Sequence, residues 1–414
     1  MATAHRATRF MVTLAAWQIV VRALTQEDDL VVVSPTAGRQ QPQTHGLVGF
    51  FVNSVFLRTR VDGGATFEQL IDATRNTCID ALDHADIPFE AIVEATGRGR
   101  DIKSAAFAQV AFALQNAPGG CVQIDDLAIS IAALETKTAK TDLALMLDEP
   151  GSGLNADVAE GLSGVLEFAT DLFDRSTAKT IALAFEQVLE AACARPSLTV
   201  DALAADLNVP VKASLAVSLP SVETGLVGAQ RDKSNLSDNQ LLVWAGQQLD
   251  PNSPFHNIAV AIDIEQPIDF KSCETALKAL VRSADAMRSA IVVQDGVPRL
   301  EVRDHLDGGA EYFDFSDLAS SEAEQRVREI CFAPLDLAER TFRFAVIRRN
   351  GARHTVLFVQ HQIVSDMESI KIFFQVLSEL YQGICSGSSP MRVEMPSYVD
   401  FLDEERRLRD TDSL

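Results

Sequence analysis

Apolar positions along the chain alternate between two periods. In "RFMVTLAAWQIVVRAL", Phe10, Leu14, Trp17, Val21 and Leu24 fall on one helical face. Trp17 and Gln18 interrupt the run and Arg22 ends it. The run is shorter than the ~20 apolar residues of a membrane span, and no small-residue cleavage site follows. A core-facing helix is predicted there rather than a signal peptide. "LVVVSP" and "GFFVNSVFLRT" have the Val- and Phe-rich composition of strands bounded by Gly or Pro. "TFEQLIDATRNTCIDAL" aligns Phe67, Leu70, Ile71, Cys78 and Leu82 on a stripe interrupted by Thr74, which predicts an amphipathic helix. "AFAQVAFALQN", "LAISIAAL", "TDLALMLDE" and "SGVLEFAT" are predicted strands. "STAKTIALAFEQVLEAAC" is a predicted helix capped by Ser176 or Thr177.

The pattern lapses over 206–234, where two prolines and scattered Ser and Lys sustain no period. That stretch is the expected linker between a first unit, 1–205, and a second, 235–414. The alternation then resumes. "SDNQLLVWAGQQL" is helical, "HNIAVAIDIE" a strand, and "FKSCETALKALVRSADAMRSAI" a helix running into a strand. "TFRFAVIRR" and "HTVLFVQHQIV" are strands, and "MESIKIFFQVLSELYQG" is a helix. Helices alternating with strands in both halves predict α/β sandwich layers in each.

Composition narrows the partners. The 414 residues are 47% hydrophobic and 23% charged, a globular profile. The 58 acidic against 36 basic residues give a net charge of −22, which argues against nucleic acid or an anionic membrane, since phosphate binding needs basic patches. The six cysteines, at 78, 121, 193, 273, 331 and 385, never form a CxxC pair, so metal is not expected and free thiols in a reducing cytoplasm are.

The candidate chemistry sits in "FVQHQIVSDMES", Phe358 to Ser369, where His361 ends an apolar strand and Asp366 follows five residues later. This stretch resembles the HHxxxDG motif of the condensation domains of nonribosomal peptide synthetases, with Gln362 in place of the second histidine and Met367 in place of the glycine. "LSDNQLLVW" is similar to the family's LSxxQxxxW, and "ADAMRSAI" to HExLRTxF, with Ala284 at the histidine and Arg288 kept. "FAPLDLAERTFRF" is similar to FDLxxGPLxR, and "SYVDFLDEERR" to YxDFAxWQ. In the first half, "GLVGFFVNSVFLRT", "HADIPFEAIVEA", "RDIKSAAFAQVAFALQNAP" and "LEFATDLFDRST" resemble motifs from the other end of the same family.

The resemblance implies two chloramphenicol acetyltransferase-like lobes in reversed order: the C-terminal lobe of one condensation domain, a linker, and the N-terminal lobe of another. A window on a tandem pair and a truncated or split gene product both fit that order. The implied activity is amide formation between carrier-bound aminoacyl or peptidyl thioesters. It brings no bound cofactor, 4'-phosphopantetheine on partner carrier proteins, flanking synthetase domains as further partners, and a cytoplasmic location.

The second histidine is the family's proton-handling or amine-positioning residue, and glutamine does not titrate. Gln362 can still position by hydrogen bonding. His361 is either a packed strand-end histidine or a group near substrate. A buried Asp366 needs a cationic partner, and Arg58, at the end of the FFVN strand, is the expected one. The implied arrangement is circularly permuted, with His361 facing a cleft between the lobes. Met367 is expected to crowd the tunnel where the family has glycine, and His45, His84 and His256 are expected to be solvated or locally bonded. An impaired enzyme fragment and a non-catalytic module that docks carriers or tailoring enzymes both remain open.

Overall fold

A computed structural model describes residues 1–87, 92, 109–115, 129–133, 138–150, 161–210, 230, 233–306, 309–351, 353–387 and 393–410. Thr8 caps the first helix, α1 (Arg9–Thr25), by accepting from the Met11 amide. Every residue of α1 from Met11 to Val21 is buried, so the helix is enclosed all round and not on one face alone. The reason is its position among α2 (Phe67–Leu82), α3 (Arg175–Ala194) and the first sheet. Two of the polar interruptions, Gln18 and Thr74, satisfy one another. Buried Gln18 donates to Thr59 at 2.9 Å and accepts from Thr74 at 2.9 Å, tying α1 to a strand and to α2 at no cost in unpaired groups. The cap of α3 is Asp174, which accepts from the Thr177 amide at 2.7 Å, and not Ser176 or Thr177. Its carboxylate, held by Ser176 and Thr177, is pushed down to about 2.

The first sheet runs β2 (Asn53–Arg60), β1 (Asp29–Thr36), β3 (Val110–Gln115), β5 (Leu143–Asp148), β6 (Ser163–Phe168). Its three inner strands are parallel and both outer pairs antiparallel. In the second half, α4 (Asp238–Leu249) carries a capping box between Ser237 and Gln240. The second sheet runs β10 (Glu311–Asp314), β11 (Phe342–Arg348), β12 (His354–His361), β7 (Asn257–Ile264), β4 (Ile129–Ala133). A hairpin, β8 (Ser289–Gln294) with β9 (Val297–Val302), stands apart, turned by Asp295 and Gly296 at φ 51° and 77°, the left-handed pair a two-residue hairpin loop requires. Helices α5 (Phe270–Ser283), α6 (Ser320–Phe332), α7 (Met367–Cys385) and α8 (Tyr398–Asp410) complete the half. The chain is therefore α/β, with two sheets each packed on helices.

Strand β4 departs from the sequence expectation. It lies within 1–205 yet pairs antiparallel with β7 of the second sheet, Ile131 opposite Ile262. It covers an edge of β7 that would otherwise be left unpaired. Of the expected linker, 211–229 and 231–232 lie outside the described residues, as does most of the stretch from "HADIPFEAIVEA" through "RDIKSAAFAQ".

The second sheet centres on β12, every residue of which is buried. Phe358 stacks on Phe373 of α7 at 3.8 Å between ring centroids and 4° between planes, fixing α7 across the sheet. Phe358→Ala should lower unfolding free energy by about 3–5 kcal/mol, read from the midpoint of denaturant unfolding. A loss under about 1 kcal/mol would mean the stack does not anchor α7.

Candidate functional site

The site is built where β12 ends. His361 is 2% exposed. Its Nδ1 accepts from the Ile363 amide at 3.2 Å, and its Nε2 lies 3.2 Å from Gln247 Oε1. The Gln247 amide nitrogen donates to the carbonyls of Asp250, Pro251 and Ser253. That leaves Oε1 as the acceptor and puts the imidazole proton on Nε2. Burial, with His256 and Lys140 nearby, pushes His361 down to about 3. Both ring nitrogens are engaged and the ring stays neutral.

The turn after His361 is held from several sides. The His361 amide donates to Thr341 O, the Gln362 amide to His256 O, and Gln240 Nε2 to Ile363 O at 2.7 Å. Gln362 itself is half-buried. Its Oε1 lies 3.2 Å from Lys140 Nζ of the first lobe, and its side chain also bonds the His256 ring. His256 is half-buried and not satisfied locally: its ring sits 5.8 Å from that of His361, and its buried Nδ1 has no partner. Burial and the neighbouring Lys140 push it down to about 4. His45 and His84 bond nearby carbonyls, of Arg39 and Asp80.

Asp366 caps α7, accepting from the Ser369 amide at 2.8 Å. Its cationic partner is Arg39 and not Arg58. Arg39 Nη2 meets Asp366 Oδ1 at 2.9 Å and Oδ2 at 3.2 Å, and Ser369 Oγ at 2.9 Å. Arg39 Nη1 donates to the carbonyls of Thr44 and Leu47. The side chains of Arg39 and Asp366 are 5% and 2% exposed. Alternation along β2 explains why Arg58 fails: its side chain points outward and pairs with Asp29 at 2.7 Å in solvent. Arg39 instead follows Gly38, at φ 64°, where a Cβ would stand 1.9 Å from Phe51 O. Only glycine allows the chain to turn there.

The same clasp corrects the start of β2. Expected from Gly49, the strand begins at Asn53, because the backbone before it is already committed. The Phe51 amide donates to Asp366 Oδ2, Gly49 N and O bond Ser369 Oγ, and Phe50 O accepts from Tyr398. A Cβ on Gly49 would lie 2.3 Å from the Tyr398 ring. Met367, the residue expected to crowd a tunnel, is 36% exposed at the start of α7. Arg288 donates to Arg303 O at 2.7 Å beside the β8–β9 hairpin.

A family model for the condensation domain matches residues 1–206 and 230–413. The chain belongs to the condensation-domain family. Among relatives of this condensation-family chain, surfactin synthase subunit 1 of Bacillus subtilis (strain 168) is 36% identical over 196 residues, 47% of this chain and 5% of that protein. A probable non-canonical nonribosomal peptide synthetase, CymA, of Salinispora arenicola (strain CNS-205) is 34% identical over 258 residues, 60% of this chain and 3% of that protein. The chain thus spans a few per cent of the curated relatives it matches. It also bears a likeness to the crystal structure of the starter condensation domain of rhizomide synthetase RzmA, at TM-score 0.39 and 24% identity over 42% of this chain and 45% of that one.

Two outcomes check this geometry. Arg39→Ala leaves a buried carboxylate unpaired and should cost about 3–5 kcal/mol, while Arg58→Ala, in solvent, should leave the unfolding midpoint essentially unchanged. Equal effects would contradict the assignment. The second concerns pH. His361 and His256 have folded pKa values below the unfolded 6.5, so the unfolded state binds more protons between about 4 and 6.5. Stability should therefore be full above pH 6.5 and fall as pH drops towards 4, by at most about 1.4 kcal/mol per pH unit for each histidine. His361→Gln should make that acid limb shallower. An unchanged slope would show that His361 titrates normally.

Proposed function

We propose that this condensation-family chain serves amide formation between carrier-bound aminoacyl or peptidyl thioesters, at a rate impaired by Gln362. The observation that carries the reading is the residue at the cleft. Gln362 stands between the lobes at the position of the family's proton-handling histidine, and its amide takes up no proton near neutral pH. His361 does not replace it, since both its nitrogens are engaged. Gln362 retains the capacity to position an amine through Oε1.

Under this reading the partners are carrier domains bearing 4'-phosphopantetheine and flanking synthetase domains, in the cytoplasm, with no cofactor resident on the chain. The net charge of −22 supports protein partners over nucleic acid or anionic membrane. Among the described residues no helix is long and apolar enough to cross a membrane. The chain divides into units at 1–205 and 235–414, joined by a linker over 206–234. Gln362 also favours a second reading, a module that docks carriers or tailoring enzymes without chemistry.

Purified chain with loaded donor and acceptor carriers should give no appreciable multiple-turnover product by mass spectrometry. Gln362→His should raise the single-turnover rate by about 10²–10⁴. Multiple turnovers by the unaltered chain would refute impairment. No gain in the histidine variant, with both carriers still bound, would favour the docking module.

A further inference from the structure

The residue that reaches Gln362 from the other lobe is itself a primary amine. Lys140 lies in the segment leading into β5. Its Nζ is 3.2 Å from Gln362 Oε1 and 5.8 Å from the centroid of the Phe255 ring. An amide oxygen and an aromatic face are complementary to an amine or ammonium nitrogen. The nitrogen therefore occupies the place beside residue 362 where an incoming acceptor amine would have to lie. Lys140 is exposed as a residue although burial strips water from its ammonium, so a small acyl donor can reach it.

Resting on the reading of the cleft as a thioester condensation centre, we propose that Lys140 Nζ is an acyl acceptor, a modification site at which a thioester entering the cleft becomes an Nε-acyl-lysine. The free amine attacks the thioester carbonyl, the C–N bond forms and the C–S bond breaks. The proton lost from nitrogen goes to the departing thiolate, giving an amide and a free thiol with no other reactant. A lysine attacks only as the neutral amine. Burial of the Lys140 ammonium lowers its pKa from the usual 10.5. Glu167 opposes this from the first lobe, where its carboxylate accepts from the Lys140 amide at 3.1 Å. His256 and His361 face it from the second lobe, both neutral, and neither adds a negative charge that would hold the ammonium form.

The test uses the full chain without carriers, incubated at neutral pH with the acetyl thioester of N-acetylcysteamine, followed by peptide mapping. Lys140 should be acetylated faster than any other lysine of the chain, because its lowered pKa leaves more of it as the free amine. Gln362→Met should slow that labelling, and Lys140→Arg should abolish it with the thermal midpoint unchanged. Trace labelling with acetic anhydride, which needs no thioester recognition, runs in parallel. Preferential labelling of Lys140 by both reagents upholds the proposal. Labelling by neither, or by the anhydride alone, overturns it. A failure of the condensation reading shows separately, as carriers that neither bind nor react, in an assay that does not depend on Lys140 labelling.

Discussion

Burial of the Asp366 carboxylate is the constraint on which the rest of the molecule depends. A carboxylate 2% exposed is strongly unfavourable unless a cation and hydrogen-bond donors surround it. The second lobe supplies the Ser369 amide and hydroxyl. The first lobe supplies the charge through Arg39 and a further donor through the Phe51 amide. Since Arg39 also donates to Thr44 O and Leu47 O, one guanidinium fixes the loop after β1 and the start of α7 together. Phe51, under Arg39 at 4.1 Å and against Tyr398 and Phe401, adds apolar closure on the same side. Strand β4 adds a backbone seam to β7.

The cleft inherits its chemistry from that docking. With the start of α7 pinned, the turn at 362–364 is held between Gln240 and His256, and Gln362 meets Lys140 across the lobes. Two histidines lie within one ring's reach of each other, yet burial holds both neutral. One supports the turn and the other leaves a buried nitrogen without a partner. What meets the Gln362 amide there is thus a neutral imidazole and the Lys140 nitrogen.

The elements with strong periodicity were legible in the chain: α7, β7, β11 and β12 follow their apolar patterns, and α2 does so except at its end, where Leu82, expected on the apolar stripe, is 47% exposed. Misses occurred where tertiary partners override local pattern. "GFFVNSVFLRT" has strand composition throughout, but its first four residues give their backbone groups to Asp366, Ser369, Tyr398 and Asn239 instead of a ladder. Arg58 looked like the partner of Asp366 because of its strand, although period-two alternation already placed it outward. Arg39 carried a readable signal, a glycine immediately before an arginine in a polar loop, but no periodicity marks such a loop as buried. The Asp295–Gly296 hairpin carries a turn dipeptide between apolar runs, a signal the predicted elements do not include. The membership of β4 in the other sheet, and the meeting of Lys140 with Gln362 across 222 positions, depend on lobe docking that no local pattern encodes.

The most direct measurement is a double-mutant cycle on Arg39 and Asp366, using Arg39→Met, Asp366→Asn and the pair together in denaturant unfolding. If one buried ion pair holds the lobes, the two changes should couple strongly, by about 2–3 kcal/mol, with the double variant far less damaged than the sum of the singles. Additive effects, within about 0.5 kcal/mol, would mean that the two residues act independently and that the lobes are held by something else.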